Sequence, residues 1–340
     1  MSCMAASTLA TVTHALTTAL LAELDIHADL AADRLCPAVP SRLNYVHWIE
    51  DIVGDVADAH GLDIGTGSVA VYAVLACALH PRWTMVGTDI DGDAIALAEA
   101  VLSKTASAGD VRNIAARVEL RHTAAPSPLI PDSTFDFVIC NPPFYASQAE
   151  REQCAADKQT PHEQVAATAT ELYTPGGEVA FVRQMIDESV HRSVGWATSM
   201  VGRLASIGEL VAYLRQQRIS NYALAEFVQG KTRRWALAWS LGPRRLPDAA
   251  ARPRAKALAR WLPASNERVL KGAPFNSVCQ LHEWLATLPT LAPTSVHLVD
   301  HDDGVLLTLF ERCWTRDARR RRAQPQPQAR PYCVCTSHAH

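Results

Sequence analysis

The chain is predicted to be an α/β protein built on a doubly wound, mostly parallel sheet, with an N-terminal helical segment and a small C-terminal α+β unit. Three observations carry this reading. Short apolar runs alternate with Ala/Leu/Val-rich helical stretches between residues 60 and 140. A glycine turn, Asp63-Ile-Gly65-Thr-Gly67, closes the first apolar run, and a stiff turn, Asn141-Pro142-Pro143-Phe144, closes a later one. Both turns stand at the carboxyl ends of strands, where open α/β sheets place their chemistry.

Taken in order, Leu9, Val12, Leu16 and Leu20 recur at helical spacing and predict an amphipathic helix packed on the body. Residues 61–65 read as the end of a first strand, followed by a helical stretch over 69–79, the strand Thr84–Thr88 and a second helix over 93–104. Apolar strands at 117–120 and 135–140 come next. After the turn signal Pro175-Gly-Gly177, Glu178–Val182 reads as another strand. Ala223–Phe227 and Trp235–Ser240 flank a short basic turn and read as a hairpin. Trp235 and Trp239 alternate along it, which favours core positions over base stacking. The Pro/Arg/Ala-rich stretch 243–254 reads as a linker. A smaller unit over 255–315 has helical signals at 255–262 and 277–288, then the strands Ser295–Val299 and Val305–Phe310. Residues 316–340, with Arg319–Arg322 and alternating Gln and Pro, read as a basic disordered tail. The expected organisation is therefore 1–58, 59–242, 243–254, 255–315 and 316–340.

A chain of 340 residues, 48% hydrophobic, has material for one large domain or two. No apolar stretch reaches the roughly 18 residues of a membrane span, and the start lacks the basic region of a secretion signal. Nine cysteines without a Cys-x-x-Cys pair imply a reduced compartment. Cys333-Val-Cys335 with His338 and His340 offers metal-ligand atoms, but nothing around them orders the set, so no structural metal is expected. Residues 201–340 carry 21 basic against 10 acidic residues, while the rest of the chain is acidic. A basic end of this kind suits a polyanion held by phosphate contacts, or else forms a solvated face.

The chemistry of the two turns can be read from residue types. Two prolines forbid continuation of the strand or entry into a helix, so the Asn141 side-chain oxygen and a proline carbonyl can both point into a cleft beside the flat face of Phe144. That arrangement suits a planar exocyclic amine: the two oxygens accept its N–H bonds while the aromatic ring stacks on the base. Asn-Pro-Pro-Phe resembles the motif of amino-directed methyltransferases that use S-adenosylmethionine; the bland alternative is a structural strand-to-loop turn. Gly65 and Gly67 would let the backbone approach a ligand closely, and Asp89, after the next strand, would accept bonds from ribose hydroxyls. A dinucleotide-binding dehydrogenase uses a similar turn, but its Gly-x-Gly-x-x-Gly fingerprint is absent because residue 70 is Ala. Arg42 either grips a cofactor carboxylate with its fork or pairs with Glu50 or Asp51 nearby.

Four blocks in order, Pro40–Asp51, Leu62–Gly67, Cys140–Phe144 and Glu226–Ser240, together resemble the methyltransferase-like protein 16 family of RNA adenine-N6 methyltransferases, over roughly residues 12–241. Eukaryotic members of that family modify U6 small nuclear RNA, and bacterial relatives modify 23S ribosomal RNA. The resemblance implies a Rossmann-like class I methyltransferase fold, S-adenosyl-L-methionine as methyl donor and structured RNA as partner. It also implies a nuclear location if the source is eukaryotic, cytoplasmic otherwise. Carried over by residue, it assigns Arg42 to the cofactor carboxylate, Asp63, Gly65 and Gly67 to the cofactor's close approach and Asp89 to its ribose. Thr123 falls near the adenine, and Asn141, Pro142, Pro143 and Phe144 take the target base, with Asn141 also beside the cofactor. Family members begin with a basic arm ahead of the helix at 12–21, whereas this chain starts almost at the helix. RNA affinity is therefore expected to rest on Lys231, Arg233 and Arg234. The loop 145–175 has only Arg151 and Lys158 as cations where the eukaryotic loop is Arg-rich, which leaves the RNA target open.

Two other readings stay in view. One keeps the fold and changes the amine, to guanine N2 of ribosomal RNA or a glutamine amide of a protein. The other is a catalytically silent RNA-binding protein, against which the intact Asn-Pro-Pro-Phe and Asp-Ile-Gly-Thr-Gly argue.

Overall fold

The computed structural model describes residues 2–124, 127–156, 166–230, 232–265, 280, 296–301, 304–309 and 333–338. Two helices, α1 (Ser2–Ala22) and α2 (Val39–Val53), precede the first strand, β1 (His60–Ile64). The chain then alternates through α3 (Val71–Leu79), β2 (Thr84–Asp89), α4 (Gly92–Ser107), β3 (Val118–His122) and β4 (Phe135–Cys140). After α5 (Gln148–Ala156) and the one-turn α6 (Ala169–Leu172) come α7 (Gly177–Ser189), β5 (Val194–Val201), α8 (Leu204–Gln216), β6 (Tyr222–Gln229), β7 (Thr232–Trp239) and the one-turn α9 (Asp248–Ala251).

The seven strands form one sheet in the order β3-β2-β1-β4-β5-β7-β6. Pairings from β3 to β5 are parallel, and β7 runs antiparallel between β5 and β6. The order reverses between β1 and β4, so the loops leaving these two strands open the crevice where α/β sheets bind ligands. Strand alternation splits the core in two. Phe137, Ile139, Ala236 and Ala238 face α2, α3 and α4, while Val138, Cys140, Leu237 and Trp239 face α7 and α8. Trp239 is buried with its indole N–H on the Ser189 hydroxyl (2.9 Å), a core residue as the alternation implied.

Three expectations need correction. Glu178–Val182 is helical, and the strand comes later, at Val194–Val201. Gly176 and Gly177 both take positive φ (75° and 66°) and turn the chain into α7, whose buried Val182, Met185, Ile186 and Ser189 follow helical rather than alternating spacing. The N-terminal helix exists and Leu20 packs against the core as expected, but its packing face is rotated: Val12 and Leu16 are 55% and 58% exposed, while Thr17 and Leu21 are buried. Thr17 makes that side the docking side by donating to the Pro37 carbonyl (3.2 Å). In the stretch expected to be a disordered tail, Cys333–His338 forms a strand, β10, antiparallel to β9 (Gly304–Leu309). The Gln/Pro-rich composition upstream masked this short run of alternating β-formers. β9 also pairs with β8 (Val296–His301), as the predicted C-terminal hairpin required. The helix expected over 277–288 lies outside the described residues apart from Gln280.

Residues 243–265, read as linker and the start of a C-terminal unit, lie against the seven-stranded domain. Arg244 donates to the carbonyls of Ile52 (2.7 Å) and Val53 (3.1 Å), and the Trp48 indole donates to the Ala250 carbonyl (2.9 Å). A 3-10 turn over Lys256–Trp261 buries Leu258 beside α8, with the Tyr222 hydroxyl donating to the Trp261 carbonyl (2.9 Å).

Candidate active site

The loop leaving β1 is shaped by three positive φ values, at Gly65 (69°), Gly67 (68°) and Ala70 (50°). Space is open where a Cβ would stand at either glycine. The amides of Gly65 and Thr66 donate to the Thr88 carbonyl (2.8 and 3.0 Å), which ties this loop to β2. Asp63, fully buried, accepts the Thr66 hydroxyl on Oδ2 (2.7 Å) and leaves Oδ1 buried without a partner. Burial pushes its pKa from 3.8 up to about 7, against the pull of Thr66.

Asp89 ends β2, accepting the Gly67 amide on Oδ2 (2.9 Å) and the Asp91 amide on Oδ1 (3.0 Å). Burial raises its pKa, and these amide bonds oppose the rise. Thr123 hangs on the Asp89 carbonyl through its amide (2.9 Å) and hydroxyl (3.2 Å), so the ends of β2 and β3 move together.

Arg42 enters from α2. Its Nη1 donates to the Tyr72 hydroxyl (3.0 Å), its guanidinium carbon stands 5.4 Å from the Tyr72 ring centre, and its Nε is buried without a partner. It pairs with neither Glu50 nor Asp51. Glu50 engages His47 (3.1 Å) and His80 (3.9 Å) instead. Arg42 is close enough to Asp63 to favour that residue's ionised form.

Asn141 follows β4 with its Oδ1 buried and unpartnered. The strand end behind it is pinned from α2 and β5: Thr198 donates to the Val138 carbonyl (2.8 Å) and shares a 2.8 Å hydrogen bond with the Tyr45 hydroxyl. Tyr45 also reaches the Cys140 carbonyl (3.4 Å). Phe144 rests against Gly202, where a Cβ would stand 2.8 Å from its Cδ1. Gly202 is itself held by Glu178, which is fully buried and accepts the Gly202 amide (2.6 Å), the Arg203 amide (3.2 Å) and the Ser206 hydroxyl (2.6 Å).

The basic turn divides. Lys231 lies outside the described residues. Arg233 is exposed and pairs with Glu226 (3.1 Å), whereas Arg234 is half-buried with its guanidinium carbon 5.6 Å from the Phe144 ring centre. Further along, Arg244 and Arg252 are engaged by the protein's own carbonyls and Asp248, so the basic run is partly structural. Among the described residues no group of three His, Cys, Asp or Glu side chains is placed to hold a metal, and no helix is long and apolar enough to cross a membrane.

Sequence reasoning thus found the residues at the strand ends but missed those that hold them. Tyr72, Tyr45, Thr198 and Glu178 approach from other elements, and Thr66 from the β1 loop itself. Only Tyr45 and Thr66 lay inside recognised blocks.

Residues 8–242 match a family model described as RNA methyltransferase (Methyltransf_10). The chain belongs to this family. It is 32% identical over 253 residues to the U6 small nuclear RNA (adenine-(43)-N(6))-methyltransferase of Schizosaccharomyces pombe, covering 71% of this chain and 63% of that one. Among solved structures it resembles the hMettl16 catalytic domain in complex with the MAT2A 3'UTR hairpin 1, with a TM-score of 0.60, 32% identity, and 67% and 79% of the two chains covered. It also resembles the N-terminal domain of human METTL16 in complex with SAH, with a TM-score of 0.53, 28% identity, and 67% and 81% covered. The chain spans just under two thirds of the length of the fission-yeast relative. As a family member it has a mixed α/β methyltransferase fold, and the seven-stranded sheet bears out the expected fold class.

Proposed function

We propose that this protein transfers the methyl group of S-adenosylmethionine to N6 of an unpaired adenine in structured RNA, with U6 small nuclear RNA as the first candidate. The observation that carries the reading is the Asn141 side-chain oxygen: a buried acceptor without a partner, on a stiff turn at the carboxyl end of β4, three residues ahead of Phe144. Unsatisfied buried acceptors are costly, and one kept at a strand end of the switch point implies a donor supplied by a ligand. The names of the relatives support the same acceptor and the same class of RNA.

The residues at the adjacent strand ends fit the cofactor. Open space at Gly65 and Gly67 admits a ligand close to the backbone, and Asp63 Oδ1 and Arg42 Nε are a buried acceptor and a buried donor left over. Arg42 would hold the cofactor's carboxylate, Asp63 its ammonium, Asp89 its ribose, and Thr123 would border the adenine. When bound, the cofactor supplies an activated methyl group on sulfur. The protein's contribution is positioning. Asn141 Oδ1 and a neighbouring proline carbonyl accept the two N–H bonds of the adenine amine, so its lone pair turns out of conjugation. Phe144 stacks the ring, and Tyr45 and Thr198 keep the strand end from shifting.

The test incubates wild type and Asn141→Ala with labelled cofactor and an RNA hairpin carrying an unpaired adenine, in U6-like and 23S-derived sequences, then separates the nucleosides. N6-methyladenosine from the wild type and loss of product in the variant, with cofactor binding retained, is the expected result. Label in guanine, or in protein glutamine, overturns the assignment of the acceptor.

A further inference from the structure

Arg233 and Arg234 are neighbours on β7 with opposite surroundings. Arg233 points to solvent and has a carboxylate, Glu226, at 3.1 Å. Arg234 points the other way, half-buried; its Nη1 donates to the Arg233 carbonyl (3.0 Å), and among the described residues no carboxylate pairs with it. Burial and the nearby Arg42 cation both hold its pKa below the ordinary arginine value, while Tyr145 and Glu178 oppose the fall. A guanidinium drawn partly out of water beside a second cation gains from any compensating contact, and the Phe144 ring, 5.6 Å away, supplies one. That ring has little freedom to retreat, because it rests on Gly202, whose amide is fixed by Glu178 at 2.6 Å. A base that stacks on the face of Phe144 that Arg234 lies over competes with the guanidinium for that surface.

Resting on the reading of Phe144 as the stacking surface for the acceptor adenine, we propose that Arg234 is a place-holder for that base: the guanidinium covers the ring in the free protein, base entry expels it, and the freed cation takes an RNA phosphate. The exchange couples two events that otherwise occur separately. A flipped base that fills the site releases a cation to grip the backbone beside it, and a nucleotide that does not enter leaves the cation on the ring. The ring is never left bare to water, and weakly stacking occupants must outcompete a cation–π contact.

The test compares binding of the full chain to an RNA hairpin with an unpaired adenine and to the same hairpin with an abasic site at that position, by fluorescence anisotropy. Each hairpin is titrated across a salt series, and the difference between the two slopes measures what base entry adds in phosphate contacts. The wild type should show the steeper slope for the adenine hairpin, by about 0.7–0.9, the one phosphate contact that base entry frees Arg234 to make. Arg234→Ala and Arg234→Gln should both remove that difference and leave the abasic affinity within about twofold of wild type, because the cation stays on the ring when no base enters. In a Phe144→Ala background the guanidinium is free in both complexes, so the slopes should be equal with Arg234 present, and Arg234→Ala should lower both by the same amount. Equal slopes for the two hairpins in the wild type overturn the coupling, and a loss of slope on both hairpins in Arg234→Ala makes Arg234 a plain phosphate contact; either overturns the proposal. Nucleoside analysis of the methylated adenine hairpin reports on the parent reading separately. Product on another base overturns that reading whatever the slopes, and the slopes can overturn the place-holder with adenine methylation intact.

Discussion

Asp63→Asn removes a fully buried carboxyl from the end of β1, and its consequences can be worked from the surroundings. Burial raises the Asp63 pKa from 3.8 to about 7 in the folded chain. In the unfolded chain the group titrates near its ordinary value, so between about pH 4 and pH 7 the folded state keeps a proton that the unfolded state has released. Stability from this group is therefore full below the window, falls as pH rises through it, and levels off above 7. A shift of about three units corresponds to on the order of 4 kcal/mol across the whole window. The Asn side chain does not ionise. Urea unfolding of both proteins at pH 5, 6, 7 and 8 should then show the variant gaining on the wild type by about 1.4 kcal/mol per unit up to pH 7, and no further gain beyond it. Taking the difference removes the other titrating groups. The same proton bears on the cofactor. An ammonium beside Asp63 Oδ1 favours the ionised carboxylate, so wild-type affinity for S-adenosylmethionine should rise up to about tenfold per unit from pH 5 to 7 and then level, while the variant stays flat. Calorimetric titration over the same pH series reads this directly. A stability difference that does not change between pH 5 and 8 would refute the argument, because it would mean that Arg42 and Thr66 outweigh burial.

Arg42→Ala should cost roughly 1.5–3 kcal/mol of cofactor binding, the range for a charged hydrogen bond. Since Arg42 has no carboxylate of its own among the described residues, the change should leave thermal stability within about 1 kcal/mol; unchanged cofactor affinity by calorimetry rejects the role. Gly202→Ala would put a Cβ 2.8 Å from Phe144 Cδ1, which must move the ring, and turnover on a hairpin RNA should fall at least tenfold while cofactor affinity holds. Turnover equal to wild type would show that the Phe144 position is not critical.

Several features of this protein were legible in the sequence because they are local. A glycine turn after an apolar run, an acidic residue ending the next run and two prolines before Phe144 each fix the backbone within a few residues, so Gly65, Gly67, Asp89 and Asn141 could be placed at strand ends before any coordinates. The hairpin of β6 and β7 was legible for the same reason, from alternation around a short turn. What failed was also local in appearance. Glu178–Val182 has apolar residues at both strand and helix spacing, and only the paired positive φ of Gly176 and Gly177 decides for the helix. Val12 and Leu16 made an apolar stripe on α1, but the buried side is set by where Thr17 meets the Pro37 carbonyl, twenty residues away.

Tertiary structure alone decided how the site is held and what its charges do. Thr198 stands 153 positions from Tyr45, and Glu178 reaches Gly202 across the gap from α7 to the end of β5. No spacing in the sequence encodes such pairs, because they arise from which strands are neighbours in the sheet. The same holds for the two arginines of β7, identical in type and adjacent in order. The pleat sends their side chains to opposite faces, where Arg233 meets a carboxylate and solvent, and Arg234 meets the ring of Phe144 in half-buried surroundings.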